Sequence, residues 1–207
     1  MTPQREQKIS EVLIRRQLDL TVVLENVNDP HNISAVMRSC DAVGVQEIFA
    51  LNEYVPQPKK FGRKTSSGSV NWVDVNYFMD SEKCIAAVRS KYKKIIALSS
   101  DHPGKTLHEA DLTGSVALLF GNEKEGLTKE ILRHADETIT IPMVGMVSSL
   151  NISVACAVTL YEAFRQRNAK GMYGRQEMLP EQVSIYKKWA LREIRKIRGM
   201  KRENAKD

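Results

Sequence analysis

Three short segments combine polar side chains, glycines and apolar residues in patterns suited to chemistry. The first, His31-Asn32-Ile33-Ser34-Ala35-Val36-Met37-Arg38, is entered through Asn28-Asp29-Pro30. Asn32 stands where a helix N-cap is expected, and Ile33, Val36, Met37, Cys40 and Val43 repeat at helical spacing as one apolar stripe. Arg38 lies off that stripe, where it is either a surface charge paired with Asp41 or a cation held ready for a ligand. The second segment, Gly121-Asn122-Glu123-Lys124-Glu125-Gly126-Leu127-Thr128, has the glycine spacing of a phosphate-binding loop, but Leu127 occupies the lysine position and two glutamates sit inside it. Triphosphate binding there is electrostatically poor. Glycines at the end of an apolar run let backbone approach a ligand, and the acidic side chains favour a cationic or hydroxyl-rich one. The sulfonium and ribose of S-adenosylmethionine meet both demands, although a Gly-Glu loop also serves simply to turn the chain. The third segment, Ile141-Pro142-Met143-Val144-Gly145-Met146-Val147-Ser148-Ser149-Leu150-Asn151, is an apolar loop ending in capping residues. Apolar loop side chains suit a wall for a flat ring or a subunit interface.

Metal chemistry is not expected. The three cysteines, Cys40, Cys84 and Cys156, are odd in number and widely separated in apolar stretches, and the four histidines show no zinc-like spacing. The charge is more telling by place than by total. From Lys187 onward there are nine Lys or Arg against three Asp or Glu, a surplus that equals the net +6 of the whole chain. A localised basic segment is either the footprint of a polyanion or a solvated helix. Arg192, Arg195, Lys196 and Arg198 are its candidate RNA contacts, joined by Lys59, Lys60, Arg63 and Lys64 in the polar stretch from Pro56 to Ser69. Cations and hydroxyl donors in such a loop suit phosphate and ribose, and a solvated connector is the alternative.

The elements that must position these segments alternate in type. Strand-like runs cover Thr21–Leu24, Glu47–Leu51, Trp72–Val75, Lys94–Ser99, Ser115–Phe120 and Glu137–Ile141. Helical patterns cover Ile33–Val43, Ser81–Tyr92, Thr128–Ala135 and Asn151–Arg167, with a short helix after Thr2-Pro3 and a basic one from Glu181 to about Lys196. Fraying is expected from Gly199 to Asp207. Such alternation predicts an α/β fold with a mostly parallel sheet and helices on both faces. At 207 residues one domain with short extensions fits. The polar N-terminus carries no apolar signal core, and no apolar run approaches the about 18 residues of a membrane span, so a cytoplasmic protein is expected.

Taken together, three motifs resemble those of the SPOUT superfamily of RNA methyltransferases, and specifically its TrmH-type tRNA guanosine 2'-O-methyltransferases. They are Asn32 to Arg38 in its Asn-x5-Arg form, Leu118-Leu119-Phe120-Gly121-Asn122-Glu123-Lys124-Glu125-Gly126, and Ile141-Pro142-Met143 through Ser149-Leu150-Asn151-Ile152-Ser153-Val154-Ala155. The resemblance runs from Arg16 to Tyr173. It implies a SPOUT, or α/β-knot, domain over residues 19–168, its C-terminal part tied in a deep trefoil knot, between helical extensions over 1–18 and 169–207. It also implies S-adenosylmethionine as methyl donor, a homodimer and a tRNA substrate methylated at guanosine 18 of the D-loop. By the match, Leu98, Gly121, Ile141, Met146 and Leu150 contact the donor, while Arg38, Asn32, Glu123, Ser149 and Asn151 take the family's functional polar positions. The family's arginine has been assigned a base role; because a guanidinium stays charged in proteins, anchoring a phosphate or a developing alkoxide is the expectation for Arg38. Alternatives are an rRNA loop or the tRNA wobble ribose as target, or a non-catalytic RNA-binding protein on the same scaffold. The short N-terminal helix without a separate RNA domain favours the tRNA enzymes.

Overall fold

Six of the apolar runs become strands of one sheet, and a two-residue strand joins them, in the computed structural model, which describes residues 1–53, 68–100, 104–122 and 124–203, with side chains to residue 195. The elements run α1 (Pro3–Ile14), β1 (Leu20–Glu25), α2 (Pro30–Val43), β2 (Glu47–Leu51), β3 (Asp74–Phe78), α3 (Ser81–Arg89) and β4 (Lys94–Leu98). They continue with β5 (Lys105–Thr106), β6 (Val116–Phe120), α4 (Lys129–Leu132), β7 (Glu137–Thr140), α5 (Ile152–Ala169) and α6 (Pro180–Glu203). Two compact units result: Gln17–Lys170, and Met1–Arg16 with Gly171–Asp207.

The first unit is an α/β fold whose seven strands are all parallel, in the order β3-β2-β1-β6-β4-β7-β5. The central strands β1 and β6 are buried along their whole length, as continuous Leu/Val runs require in a sheet covered on both faces. Successive residues point to opposite faces. Val22, Leu24, Leu118 and Phe120 therefore pack with Ile33, Val36, Met37 and Cys40 of α2 and with Cys156, Leu160 and Ala163 of α5. Val23, Ala117 and Leu119 pack instead with Cys84, Ile85 and Val88 of α3 and with Ile131 of α4. Among the boundaries that differ from the sequence reading, three have a visible cause. The α2 cap is Asp29, whose side chain accepts from the His31 N–H (2.8 Å), and Asn32 lies one turn inside, freeing its amide for another partner. Helix α4 stops at Leu132, because Asp136 is already held by the Ile95 N–H (2.7 Å) and by Arg89 (2.6 Å) at the entry to β7. Helix α6 runs through Gly199 to Glu203; good helix formers flank that glycine and offset its cost of about 1 kcal/mol.

The second unit joins the two extensions that the sequence treats separately. Thr2 caps α1, and Gln182 of α6 is fully buried, its amide donating to the Leu13 carbonyl (2.6 Å) at the other end of α1. That bond satisfies a carbonyl which the end of a helix leaves open. Arg5 pairs with Glu193 (3.0 Å), Tyr186 donates to Glu6 (2.6 Å), and the Arg16 guanidinium lies 5.2 Å from the centre of the buried Trp189 ring.

In the first unit Arg167, near the end of α5, is fully buried. It donates to the Leu112 carbonyl (2.9 Å), the Gly114 carbonyl, Gln17 (3.1 Å) and Asp19 (2.6 Å), and so ties α5 to the starts of β1 and β6. Arg167→Leu strands those acceptors and is expected to cost about 3 kcal/mol or more, read as a lower urea midpoint with unchanged slope.

Candidate active site

The loop after β6 begins where no side chain fits. A Cβ on Gly121 would lie 2.0 Å from the Gly126 carbonyl carbon and 2.3 Å from the Leu127 nitrogen. Only glycine allows that approach. Asn122 shapes the turn: its side-chain oxygen accepts from the Lys124 (2.9 Å) and Glu125 (2.8 Å) N–H groups, and its carbonyl accepts from the Gly126 N–H (3.0 Å). Gly126 adopts φ +68°, a left-handed conformation that suits glycine. Glu123 lies outside the described residues. Thr128 ends the loop by capping α4 and donates through its N–H (2.9 Å) and hydroxyl (2.6 Å) to the two carboxylate oxygens of Glu25. Burial pushes the Glu25 carboxyl up, against the pull of the two Thr128 donors, and Glu53 and Glu130 push it further.

Between this loop and the ends of β4 and β7 lies a cleft of about 380 Å³. Ligands of open α/β sheets bind at such C-terminal strand edges. Leu98, Gly121, Ile141 and Leu150, four of the five expected donor contacts, line it, as does Ser149. Met146 is not among the lining residues and is fully exposed. The walls mix apolar groups and glycine backbone with the hydroxyls of Ser99 and Thr140 and the charges of Lys124 and Glu125. Such a lining suits a flat heterocycle carrying a sugar and a small cationic or zwitterionic group. Among the described residues no group of His, Cys, Asp or Glu has a metal-holding arrangement.

The polar candidates divide. Asn151 caps α5, its side-chain oxygen accepting from the N–H (2.9 Å) and hydroxyl (2.6 Å) of Ser153, while its amide donates to Asn32 on α2 (3.2 Å). Two residues far apart in sequence are thus brought together beside the cleft, which Ile152 and Ala155 of the same helix line. Arg38 stands about 9 Å further along α2 at the usual helical rise. It is exposed, and among the described residues it makes no hydrogen bond or ion pair. Of the two roles that the sequence allows it, the pairing with Asp41 is not seen among the described residues. Lys59, Lys60, Arg63 and Lys64 lie outside the described residues, as do the side chains of Lys196 and Arg198; Arg192 is half-buried and Arg195 exposed on α6.

Two features were not anticipated from the sequence. Glu25 falls just past the strand-like run Thr21–Leu24 and belongs to none of the three motifs, and only its spatial proximity to Thr128 gives it a role. The outer face of α5 is also apolar: Val154, Val158 and Tyr161, at helical spacing, are 46%, 40% and 55% exposed. Val144, Met146 and Val147 in the preceding loop are exposed as well.

The model of the SpoU rRNA Methylase family matches residues 19–161. A tRNA (guanosine(18)-2'-O)-methyltransferase from Thermus thermophilus is 45% identical over 180 residues, 87% of this chain and 92% of its own length. The crystal structure of the A. aeolicus TrmH/SpoU tRNA modifying enzyme aligns with a TM-score of 0.83 at 37% identity, covering 92% of this chain and 97% of that one. The SpoU methyltransferase AviRb from Streptomyces viridochromogenes, solved in complex with the cofactor AdoMet, aligns at 0.65 and 27% identity over 75% of this chain and 61% of its own. With the family model matching residues 19–161 and a relative 45% identical over 87% of this chain, the chain belongs to the SpoU rRNA methylase family.

Proposed function

We propose that this protein methylates the ribose 2'-hydroxyl of guanosine 18 in the D-loop of tRNA, with S-adenosylmethionine as donor. The observation that carries this reading is the glycine-walled cleft at the ends of β4, β6 and β7, with the Asn32–Asn151 pair beside it, in a chain so similar to the Thermus thermophilus enzyme. Bound in the cleft, the donor supplies an electrophilic methyl carbon on a sulfonium.

The protein's own task is to align the attacking oxygen with that carbon and to manage the hydroxyl proton. Gly121 and Gly126 bring backbone to the cleft, and Leu98, Ile141 and Leu150 exclude water from it. The Asn151 amide donates to the Asn32 side-chain oxygen beside the cleft, which sets both side chains where a ribose would approach the donor. Arg38, permanently cationic, anchors a phosphate or stabilises the oxyanion as the proton leaves. The segment 19–168 carries the chemistry. The extensions at 1–18 and 169–207 carry cations to the RNA in the cytoplasm.

The strand order supports the family's knot. Strand β4 separates β6 from β7, and after β7 the chain returns through residues 141–151 so that α5 packs on α2. The apolar outer face of α5, continuous with an apolar loop, supports a homodimer in which a second copy covers Val154, Val158 and Tyr161.

Incubation with labelled methyl donor and tRNA, followed by mapping of the modified nucleotide, is expected to place label on the ribose of guanosine 18; no ribose incorporation overturns the reading. Arg38→Lys is expected to lower turnover at saturating tRNA by about a hundredfold without changing donor affinity. Val154→Asp with Val158→Asp is expected to shift the protein to monomer in sedimentation velocity. Combined reversal of the exposed cations Lys187, Lys188 and Arg195 to Glu is expected to weaken tRNA binding and to flatten its salt dependence, by about 0.7–0.9 in the log–log slope for each phosphate that is no longer neutralised, with donor binding intact.

A further inference from the structure

We propose that Glu25 is a positioning residue for donor binding: through Thr128 its carboxylate fixes the far limb of the Gly121–Thr128 loop as a wall of the cleft. The inference rests on the reading of that cleft as the donor site. Glu25 is 1% exposed, the last residue of a strand that is otherwise Leu, Val and Thr. A buried carboxylate facing two others, Glu53 and Glu130, is an expensive choice for a fold that needs only a packed strand end. What it obtains is a two-pronged, charge-assisted grip on Thr128, one carboxylate oxygen to the N–H and the other to the hydroxyl.

Leu127 also packs against the core beneath α3 and α4, but the loop's other hydrogen bonds among the described residues are local. The Asn122 turn and the Gly126–Asn122 bond shape the loop without tying it to the neighbouring strand. Near end and far end are therefore fixed differently, Gly121 by continuity with β6 and Thr128 by Glu25 on β1. Between those points Asn122, Lys124, Glu125, Gly126 and Leu127 face the cleft. The end of β1 also launches the acceptor side. Asn26 follows at φ +53°, its side chain accepting from the Glu53 N–H (3.1 Å), and α2 with Asn32 comes next. One strand end thus sets the donor wall and the acceptor residues in register. Helix α4 keeps a second tether, Glu130 accepting from the Ser81 hydroxyl (2.8 Å), so loosening the Glu25 grip frees the loop limb without releasing the helix.

The test is calorimetric binding of S-adenosylmethionine to the full chain, with steady-state kinetics and thermal melting alongside. Glu25→Gln is expected to weaken donor affinity and raise the donor KM by about tenfold, with the tRNA KM and Tm unchanged. Thr128→Ser, which keeps the hydroxyl, is expected to bind like wild type. Thr128→Val, which removes the hydroxyl and keeps the N–H, is expected to lose donor affinity, and combining it with Glu25→Gln is expected to cost less than the sum of the two, since both act on one contact. Donor affinity of Glu25→Gln within about twofold of wild type, additive losses in the double variant, or a Tm that falls in step with affinity would each overturn the proposal. Ser100→Trp, an exposed lining position filled with a large ring, separates the two readings. Donor binding lost in Ser100→Trp but normal in Glu25→Gln rejects the Glu25 role alone, whereas donor binding untouched in Ser100→Trp rejects the cleft and the proposal with it.

Discussion

The cleft exists because two stretches of backbone touch. At Gly121 the chain leaves the central strand β6 and passes so close to Gly126 and Leu127 that a single methyl group would overlap a carbonyl carbon. Everything that borders the cleft inherits that approach. The Asn122 turn closes the loop on itself, Lys124 and Glu125 line the opening, and Thr128 reaches the end of β1. A loop held this closely is a wall of fixed shape, which is what alignment of an attacking oxygen with a methyl carbon demands.

The sheet order explains why the wall stands where it does. In a parallel sheet every C-terminal strand end lies on one edge, and a ligand site forms where neighbouring connections leave that edge in different directions. Here β6 lies between β1 and β4, so the loop after β6 can bind β1 on one side and enclose a cleft with the ends of β4 and β7 on the other. The return of the chain to α5 then places Asn151 against Asn32. Asn151 performs two tasks with two ends of one amide: its oxygen caps α5 and its nitrogen reaches α2. The cap fixes the rotamer that the second contact needs, so stability and function draw on one conformation.

Much of this was readable in the sequence because it is periodic or local. The buried strands appear as unbroken Leu, Ile and Val runs, the α2 stripe repeats at helical spacing, and the two loop glycines bracket a polar turn. What escaped depended on pairing across long separations. Glu25 and Thr128 are joined across the sheet, Gln182 completes a helix end that precedes it by most of the chain, and Arg167 gathers acceptors from two separate segments. The misplaced α2 cap has a local cause. Asp29 and Asn32 are both good caps, and Pro30 prefers the first helical position, which settles the choice for Asp29. Moved one turn inward, Asn32 is left to bind Asn151.

Arg38 poses the remaining geometric question. It projects from α2 about 9 Å beyond the Asn32–Asn151 contact, is exposed, and does not line the cleft. A guanidinium that anchors the reacting nucleotide must come within hydrogen-bonding reach of it. The apolar face of α5 bears on the same question, because the homodimer proposed above seats a second copy on Val154, Val158 and Tyr161. Arg38 has no ion pair among the described residues, and on the proposed function its partner is the RNA. An intramolecular ion pair at this position would compete with that role.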